Sequence, residues 1–126
     1  MTPNEIFVTH ETAQLLKRAG FDWQIETLYR DNTFSANSIL YDKTISFHFP
    51  APTLEVTQKW LRDVKQMEIV IEPELCDNGE TLIYHWHCGD REMYFAGGWT
   101  CDGYAPEYEK AQESAEIKCL QILLTR

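Results

Sequence analysis

The sequence lacks any apolar run long enough to cross a membrane as a helix, which takes about 18 residues. Its first residues, MTPNEIFVTHE, contain neither the basic start nor the apolar stretch of a secretory signal. The four cysteines form no Cys-x-x-Cys pair and match no zinc-finger spacing. These absences predict a protein of the reducing cytoplasm, with its cysteines present as thiols and with no membrane partner.

Positive charge is also scarce, because 11 Lys and Arg face 20 Asp and Glu, which gives a formal charge of −9 at pH 7. Proteins that bind phosphate backbones usually carry the opposite sign or a basic stripe, so direct nucleic-acid binding is disfavoured. The acidic stretch 66–90 contains no Lys or Arg. It predicts either a solvated face or a docking surface for a basic partner or a cation.

Motifs for common enzymatic chemistry are missing as well. The chain has no Gly-x-Ser-x-Gly elbow, no P-loop, and no Gly-x-Gly-x-x-Gly followed by a helix. Cys88 is predicted to point inward, and a buried thiol is usually inert as a nucleophile. The sequence therefore favours a non-enzymatic protein.

What is present predicts a single globular domain, residues 1–126, of the α+β class. Apolar residues at helical spacing predict three helices, in VTHETAQLLKRAGFD, in TLEVTQKWLRDVKQ and from Glu107 to about Leu124. Alternating patterns predict strands in DWQIETLYR, KTISFHFP, MEIVIEPEL, TLIYHWHC and REMYFAGGW. We therefore expect an antiparallel or mixed sheet of about five strands, with the three helices packed mainly on one face.

Three segments together resemble a family of small, uncharacterised proteins of bacterial prophages and other mobile elements. They are VTHETAQLLKRAGFD, FPAPTLEVTQKWLRDVK and GYAPEYEKAQESAEIKCLQILL, which cover about two-thirds of the chain. The resemblance implies a shared fold and a phage-related origin. It implies no catalytic residue, because these segments carry packing and capping signals.

The stretch GETLIYHWHCGDREMYFAG predicts a candidate metal site. His85 and His87 share one face of a strand, and Glu92, on the strand predicted next to it, could add a carboxylate. Two imidazoles and a carboxylate suit zinc, iron or manganese. With Gly79 and an early Gly97, the spacing is similar to the first metal motif of cupins.

The competing interpretation of this stretch is a strand with two histidines that bind no metal. Cupins carry a second motif with another histidine, whereas none follows His87 here. Tyr84 and Trp86 form the better core face, which turns the imidazoles outward. This interpretation is the favoured one, and metal binding is its alternative.

The segment YFAGGWTCDGY predicts a glycine-hinged aromatic loop, residues 94–104, with Tyr94, Trp99 and Tyr104 as contact residues. Such a loop can line a pocket for a small ligand or anchor a partner, or its aromatics can complete the core.

The first functional hypothesis is an accessory protein that acts through protein–protein contact, using the acidic stretch and this loop, and that needs no cofactor. Assembly as a homodimer is left open. The alternatives are a protein that binds Zn, Fe or Mn through His85, His87 and Glu92, and a small-ligand-binding domain that uses loop 94–104.

Overall fold

The structure is a computed structural model that describes residues 5–98 and 100–126 of the chain. The elements are α1 (His10–Arg18), β1 (Leu28–Arg30), β2 (Thr33–Ser35), β3 (His48–Pro50), α2 (Leu54–Val64), β4 (Met67–Leu75), β5 (Leu82–Asp90), α3 (Arg91–Phe95), β6 (Cys101–Ala105) and α4 (Tyr108–Leu124). They form two compact units, the first running up to Val56 and resuming at Leu120–Arg126, the second spanning Thr57–Cys119. No helix in the described part of the chain is long and apolar enough to span a membrane.

The first unit is built around α1, which lies within the segment VTHETAQLLKRAGFD that is predicted to be helical. The Thr9 side chain caps the helix by accepting a hydrogen bond from the Thr12 backbone N–H at 3.5 Å. Gly20, at φ +90°, takes the left-handed conformation that ends the helix. Ala13 and Leu16, one turn apart, are fully buried and form its core face.

The sheet of the first unit has the strand order β2–β1–β3, and both pairings are antiparallel. The Lys17 ammonium group on α1 forms hydrogen bonds with the loop before β3 and with the first residue of β3. Its Nζ donates to the backbone carbonyls of Ile45, Ser46 and His48, at 2.6, 3.2 and 2.6 Å. All three ammonium hydrogens are used by these carbonyls.

The second unit contains the antiparallel sheet β4–β5–β6. Strands β4 and β5 pair along their whole length, from Met67 opposite Asp90 to Leu75 opposite Leu82. Side chains alternate between the two faces, and directly opposed residues point the same way. One face therefore carries apolar residues such as Trp86, and the other carries the polar residues Glu72, Glu74, His85, His87, Asp102 and Tyr104.

Trp86 packs directly on the backbone of β6. It lies opposite Gly103 and is only 7% exposed. A Cβ atom added at Gly103 would lie 2.5 Å from Cζ2 of the indole, closer than carbon atoms approach without displacement. Glycine at this position therefore lets β6 run against the Trp86 ring.

The structure corrects three local predictions. Arg91–Phe95, predicted as a strand, is α3, because Gly89 and Asp90 remain paired in β5 instead of forming a hairpin turn. The residues CDGYA, predicted as loop, form β6. The residues DNTFSANS, which fall in none of the predicted strands or helices, contain the short strand β2.

At the level of class, the α+β prediction with antiparallel pairing is confirmed. The finer prediction is matched only roughly: the described residues form two sheets of three strands and four helices, where one sheet of about five strands and three helices is predicted. Alternation in a sequence marks strands but does not say which strands pair. The single domain, and helices on one face, stay predictions.

Candidate metal centre

The polar face of the β4–β5–β6 sheet brings together residues that are distant in sequence. Asp102 lies directly opposite His87 in the register of β5 and β6, and Tyr104 lies opposite His85. On the other side of β5, Glu72 is the direct partner of His85. The sheet therefore surrounds two imidazoles with carboxylates supplied by both neighbouring strands.

Both ring nitrogens of His85 are bonded to carboxylates. Its Nδ1 lies 2.6 Å from Oε2 of Glu74, and its Nε2 lies 2.8 Å from Oδ2 of Asp102. Carboxylates accept hydrogen bonds, so both contacts form when each nitrogen carries a proton. In the metal-free protein this arrangement describes an imidazolium between two carboxylates.

The orientation of the His85 ring is fixed by two aromatic neighbours. The ring stacks on Tyr104, with centroids 4.1 Å apart and an interplanar angle of 14°. Its centroid also lies 4.1 Å from that of His87, at 46°. The side chain of His85 is only 15% exposed, whereas that of Asp102 is 58% exposed. The cluster lies on an open sheet face, with His85 held in its centre.

The carboxylates also determine the protonation of His85. The hydrogen bond to Asp102 raises the pKa of the imidazole above its usual value. Burial opposes this effect, and the hydrogen bond to Glu74 adds to it. His85 therefore keeps its proton to a higher pH than a free imidazole does.

His85, His87 and Asp102 form a set of three potential metal ligands. One ligand atom from each residue lies within 4.8 Å of those of the other two. Ligand atoms that each lie about 2.1 Å from one tetrahedral ion are about 3.4 Å apart, so the side chains have to rotate towards one another to close the set on an ion. Two imidazoles with one carboxylate are a ligand set for zinc, iron or manganese that leaves coordination positions open.

Glu74 adds an outer contact to this set. Histidines that bind metals through one nitrogen usually donate the other N–H to a carboxylate, which fixes the tautomer and makes the ligand more basic. The 2.6 Å contact between Nδ1 of His85 and Glu74 has this arrangement, and it leaves Nε2 directed at Asp102.

Glu92, the carboxylate predicted to complete the site, is not part of this cluster. It lies in α3, not on a strand next to β5, and its side chain is exposed. The structure thus brings together the two predicted histidines, but with Asp102 as the acid. The alternation in TCDGYA could have indicated Asp102, if this segment had been interpreted as a strand.

The predicted aromatic loop 94–104 is divided between different elements. Tyr94 lies in α3, and its side chain is outside the description. Trp99 lies outside the described residues. Tyr104 lies on β6 and is 55% exposed, with its ring against His85. Of the three predicted contact residues, Tyr104 therefore lies on the polar face of the β4–β5–β6 sheet, beside the candidate metal ligands.

Comparison of the chain with protein-family models, curated proteins and solved structures finds no match. The resemblances to mobile-element proteins and to the cupin motif stay predictions from sequence. An argument about function therefore depends on the geometry of the polar sheet face.

Proposed function

We propose that this protein binds a divalent transition-metal ion through His85, His87 and Asp102. The observation that carries the proposal is the convergence of one ligand atom from each residue within 4.8 Å on adjacent strands. A bound ion would take the place of the proton that joins Nε2 of His85 to Asp102. The proton on Nδ1 would stay in place, donated in the hydrogen bond to the Glu74 carboxylate.

The charge of the sheet face supports a cation as the ligand. Glu72 and Glu74 lie on the same face as the three ligands, and the whole chain carries a formal charge of −9. Such a field raises the local concentration of cations and disfavours anionic ligands. Open coordination positions would face solvent, because the ligands lie on a sheet face and Asp102 is 58% exposed.

The test is zinc binding by protein purified without a histidine tag, followed by calorimetry and elemental analysis. We expect one Zn²⁺ per chain, and a loss of affinity of more than about 100-fold in His85→Ala, His87→Ala and Asp102→Asn. Glu74→Gln removes only the outer carboxylate, so its loss should be about 10–100-fold.

Glu92→Ala is the matched control, because it removes the acid that sequence alone assigns to the site. It should bind zinc as the unaltered protein does. Absence of stoichiometric zinc, or unchanged affinity in His85→Ala with its circular dichroism spectrum preserved, would contradict the proposal.

The pH dependence gives a second readout, because the stability of the metal-free protein and the affinity for zinc should change in opposite directions as the pH rises. In the metal-free protein, the raised pKa of His85 stabilises the fold below the unfolded value of 6.5. This contribution is lost as the pH rises through the folded pKa. Zinc competes with the same proton, so its affinity should instead increase over that interval. Urea midpoints measured with chelator and with zinc, across pH 6–9, report both trends. The other titratable groups that face His85 are Glu74, Glu72, Asp102, His87 and Tyr104.

The second candidate function is contact with a basic protein partner through the same face, the hypothesis that the sequence favours. It is supported by Tyr104, an exposed aromatic residue among carboxylates, since aromatic residues are frequent anchors at interfaces. Binding of a Lys- and Arg-rich peptide should weaken with salt and fall about tenfold in Glu72→Lys. An equal loss in Glu109→Lys, a matched charge change on α4, would show non-specific attraction instead.

A further inference from the structure

Strand β4 forms one edge of the β4–β5–β6 sheet. In the described part of the chain it has a strand partner on one side only, which leaves its other side as a free edge. It is nine residues long, whereas β6 at the opposite edge has five. Proteins usually keep edge strands short or covered, because their unpaired N–H and C=O groups can pair with another chain. A long free edge is therefore a place where an extended segment can add to the sheet.

The register of β4 and β5 shows which backbone groups point to the free edge. Just beyond the two ends of this pair, the Arg91 N–H donates to the Gln66 carbonyl at 3.0 Å, and the Cys76 N–H donates to the Thr81 carbonyl at 2.8 Å. Hydrogen-bonded and non-hydrogen-bonded residues alternate along an antiparallel pair, so the even-numbered residues of β4 bond to β5. The odd-numbered residues turn their backbone groups to the free edge, among them Ile69, Ile71, Pro73 and Leu75.

Pro73 agrees with this assignment. Proline has no N–H, and within a sheet it is tolerated on an edge strand where its nitrogen faces away from the neighbouring strand. It removes one donor from the free edge, while the N–H groups of Ile69 and Ile71 remain.

The charges beside the free edge disfavour a second copy of the chain as its occupant. Glu68, Glu72 and Glu74 all lie on the polar face of β4. A second β4 paired antiparallel about Ile71 would place Glu68 of each chain opposite Glu74 of the other. Paired about Glu72, it would place the two Glu72 side chains opposite each other. Like charges directly opposite one another destabilise a strand pair, and each chain carries a formal charge of −9.

We propose that the free edge of β4 binds an extended peptide in which basic residues alternate with apolar ones, as an added antiparallel strand. Its basic side chains would lie beside Glu72 on the polar face, and its apolar side chains would lie beside Ile69 and Ile71 on the Trp86 face. Leu75 and Leu82, a directly opposed pair on the Trp86 face, are 63% and 45% exposed and add apolar surface at one end. Backbone hydrogen bonds would supply affinity, and the alternating side chains specificity. This inference does not rest on the metal site.

The probe is the peptide Lys-Val-Lys-Val-Lys-Val-Lys, capped at both ends, titrated into the chelator-washed protein by calorimetry. Opposed residues share a face, so its valines would stand opposite the odd-numbered residues of β4 and exchange hydrogen bonds with them. Methylation of the valine nitrogens should therefore lower the affinity more than about tenfold. Methylation of the lysine nitrogens, which would face away from β4, should leave the affinity unchanged.

Hydrogen exchange followed by NMR gives a readout on the protein itself. Bound peptide should slow exchange of the Ile69 and Ile71 amides, which gain acceptors. The amides of Val70 and Glu72, already bonded to β5, are the matched controls and should change little.

The peptide Lys-Lys-Lys-Lys-Val-Val-Val has the same composition and charge without the alternation, and should bind more than about tenfold more weakly. Equal binding of the two peptides would overturn this proposal while supporting the second candidate function, which needs only basic charge. No binding at about 1 mM peptide, equal effects of the two methylations, or dimers of the chain in place of the peptide complex would also overturn it. Zinc binding is measured without peptide, so none of these results bears on the metal proposal.

Discussion

Replacement of Gly103 by alanine is expected to lower the free energy of unfolding by about 1–3 kcal/mol, the usual cost of forcing an extra carbon into a packed core. The new Cβ would lie 2.5 Å from Cζ2 of Trp86 and 2.7 Å from Cε2. The indole is rigid and 93% removed from solvent, so either the ring or β6 must shift. Gly103 has no positive φ, so no backbone strain at the new alanine adds to the effect of this contact.

The same substitution should weaken zinc binding, because Asp102 is the residue before Gly103 on β6. A displaced β6 carries the Asp102 carboxylate away from His85 and His87. Urea unfolding measures the loss of stability in Gly103→Ala, and calorimetry with Zn²⁺ measures the loss of zinc affinity.

Gly98→Ala is the control for Gly103→Ala. The nearest atom to a Cβ there is the Met93 carbonyl oxygen at 4.0 Å, an ordinary contact. Its effect on the free energy of unfolding should stay within about 0.5 kcal/mol. Equal stabilities for the two variants would show that the sheet accommodates the added methyl group, and that Trp86 does not depend on glycine below it.

Replacement of Trp60 by alanine is expected to cost about 3–5 kcal/mol, the largest effect of any single change considered. Trp60 is fully buried on α2 and is the largest completely buried side chain among the residues that the structure describes. Its truncation removes the contacts of the whole ring and leaves a cavity. Lys65, whose Nζ lies 5.5 Å from the ring centroid, also loses a cation–π contact.

The measurement is the urea midpoint at constant m-value, with Val64→Ala as the control on the same helix. Val64 is 47% exposed, so its truncation should cost less than about 1 kcal/mol. Small domains have about 5–15 kcal/mol of stability in total, and Trp60→Phe is the milder substitute if Trp60→Ala does not fold. A cost below 1 kcal/mol for Trp60→Ala would falsify the assignment of this ring to the core.

The parts of the fold that sequence predicts are those specified by local signals. Helix α1 has its Thr9 cap and its Gly20 stop, and α2 has the Thr53 hydroxyl, which accepts from the Val56 N–H at 3.2 Å. The strands β4 and β5 follow their alternating patterns. Such signals act within a few residues, so a single sequence displays them.

The parts that sequence misses depend on contacts between distant segments. REMYFAGGW alternates like a strand, yet Arg91–Phe95 is helical because β5 already pairs with β4 through Asp90. CDGYA contains Asp and Gly, which are typical of turns, but its pairing with β5 makes it a strand. Tertiary pairing overrides the local preference in both segments.

The same distinction between local signals and contacts of distant segments applies to the candidate site. Trp86 is buried and the imidazoles lie on the opposite face, as the alternation of one strand predicts, but His85, predicted to turn outward, is only 15% exposed. Tyr84, predicted with Trp86, is only half-buried. The third ligand, Asp102, comes from a strand whose register relative to β5 is a property of the folded sheet.

The surroundings of the Lys17 ammonium group require a donor with three diverging hydrogens, and arginine, the other strongly basic side chain, does not provide one. The three hydrogens of the ammonium group point along tetrahedral directions, and each has a backbone carbonyl of the segment before β3 or of His48 as its acceptor. A guanidinium group is flat and presents its hydrogens as a planar fork, so arginine at position 17 could not satisfy three converging carbonyls. At this position, the shape of the cation matters more than its charge.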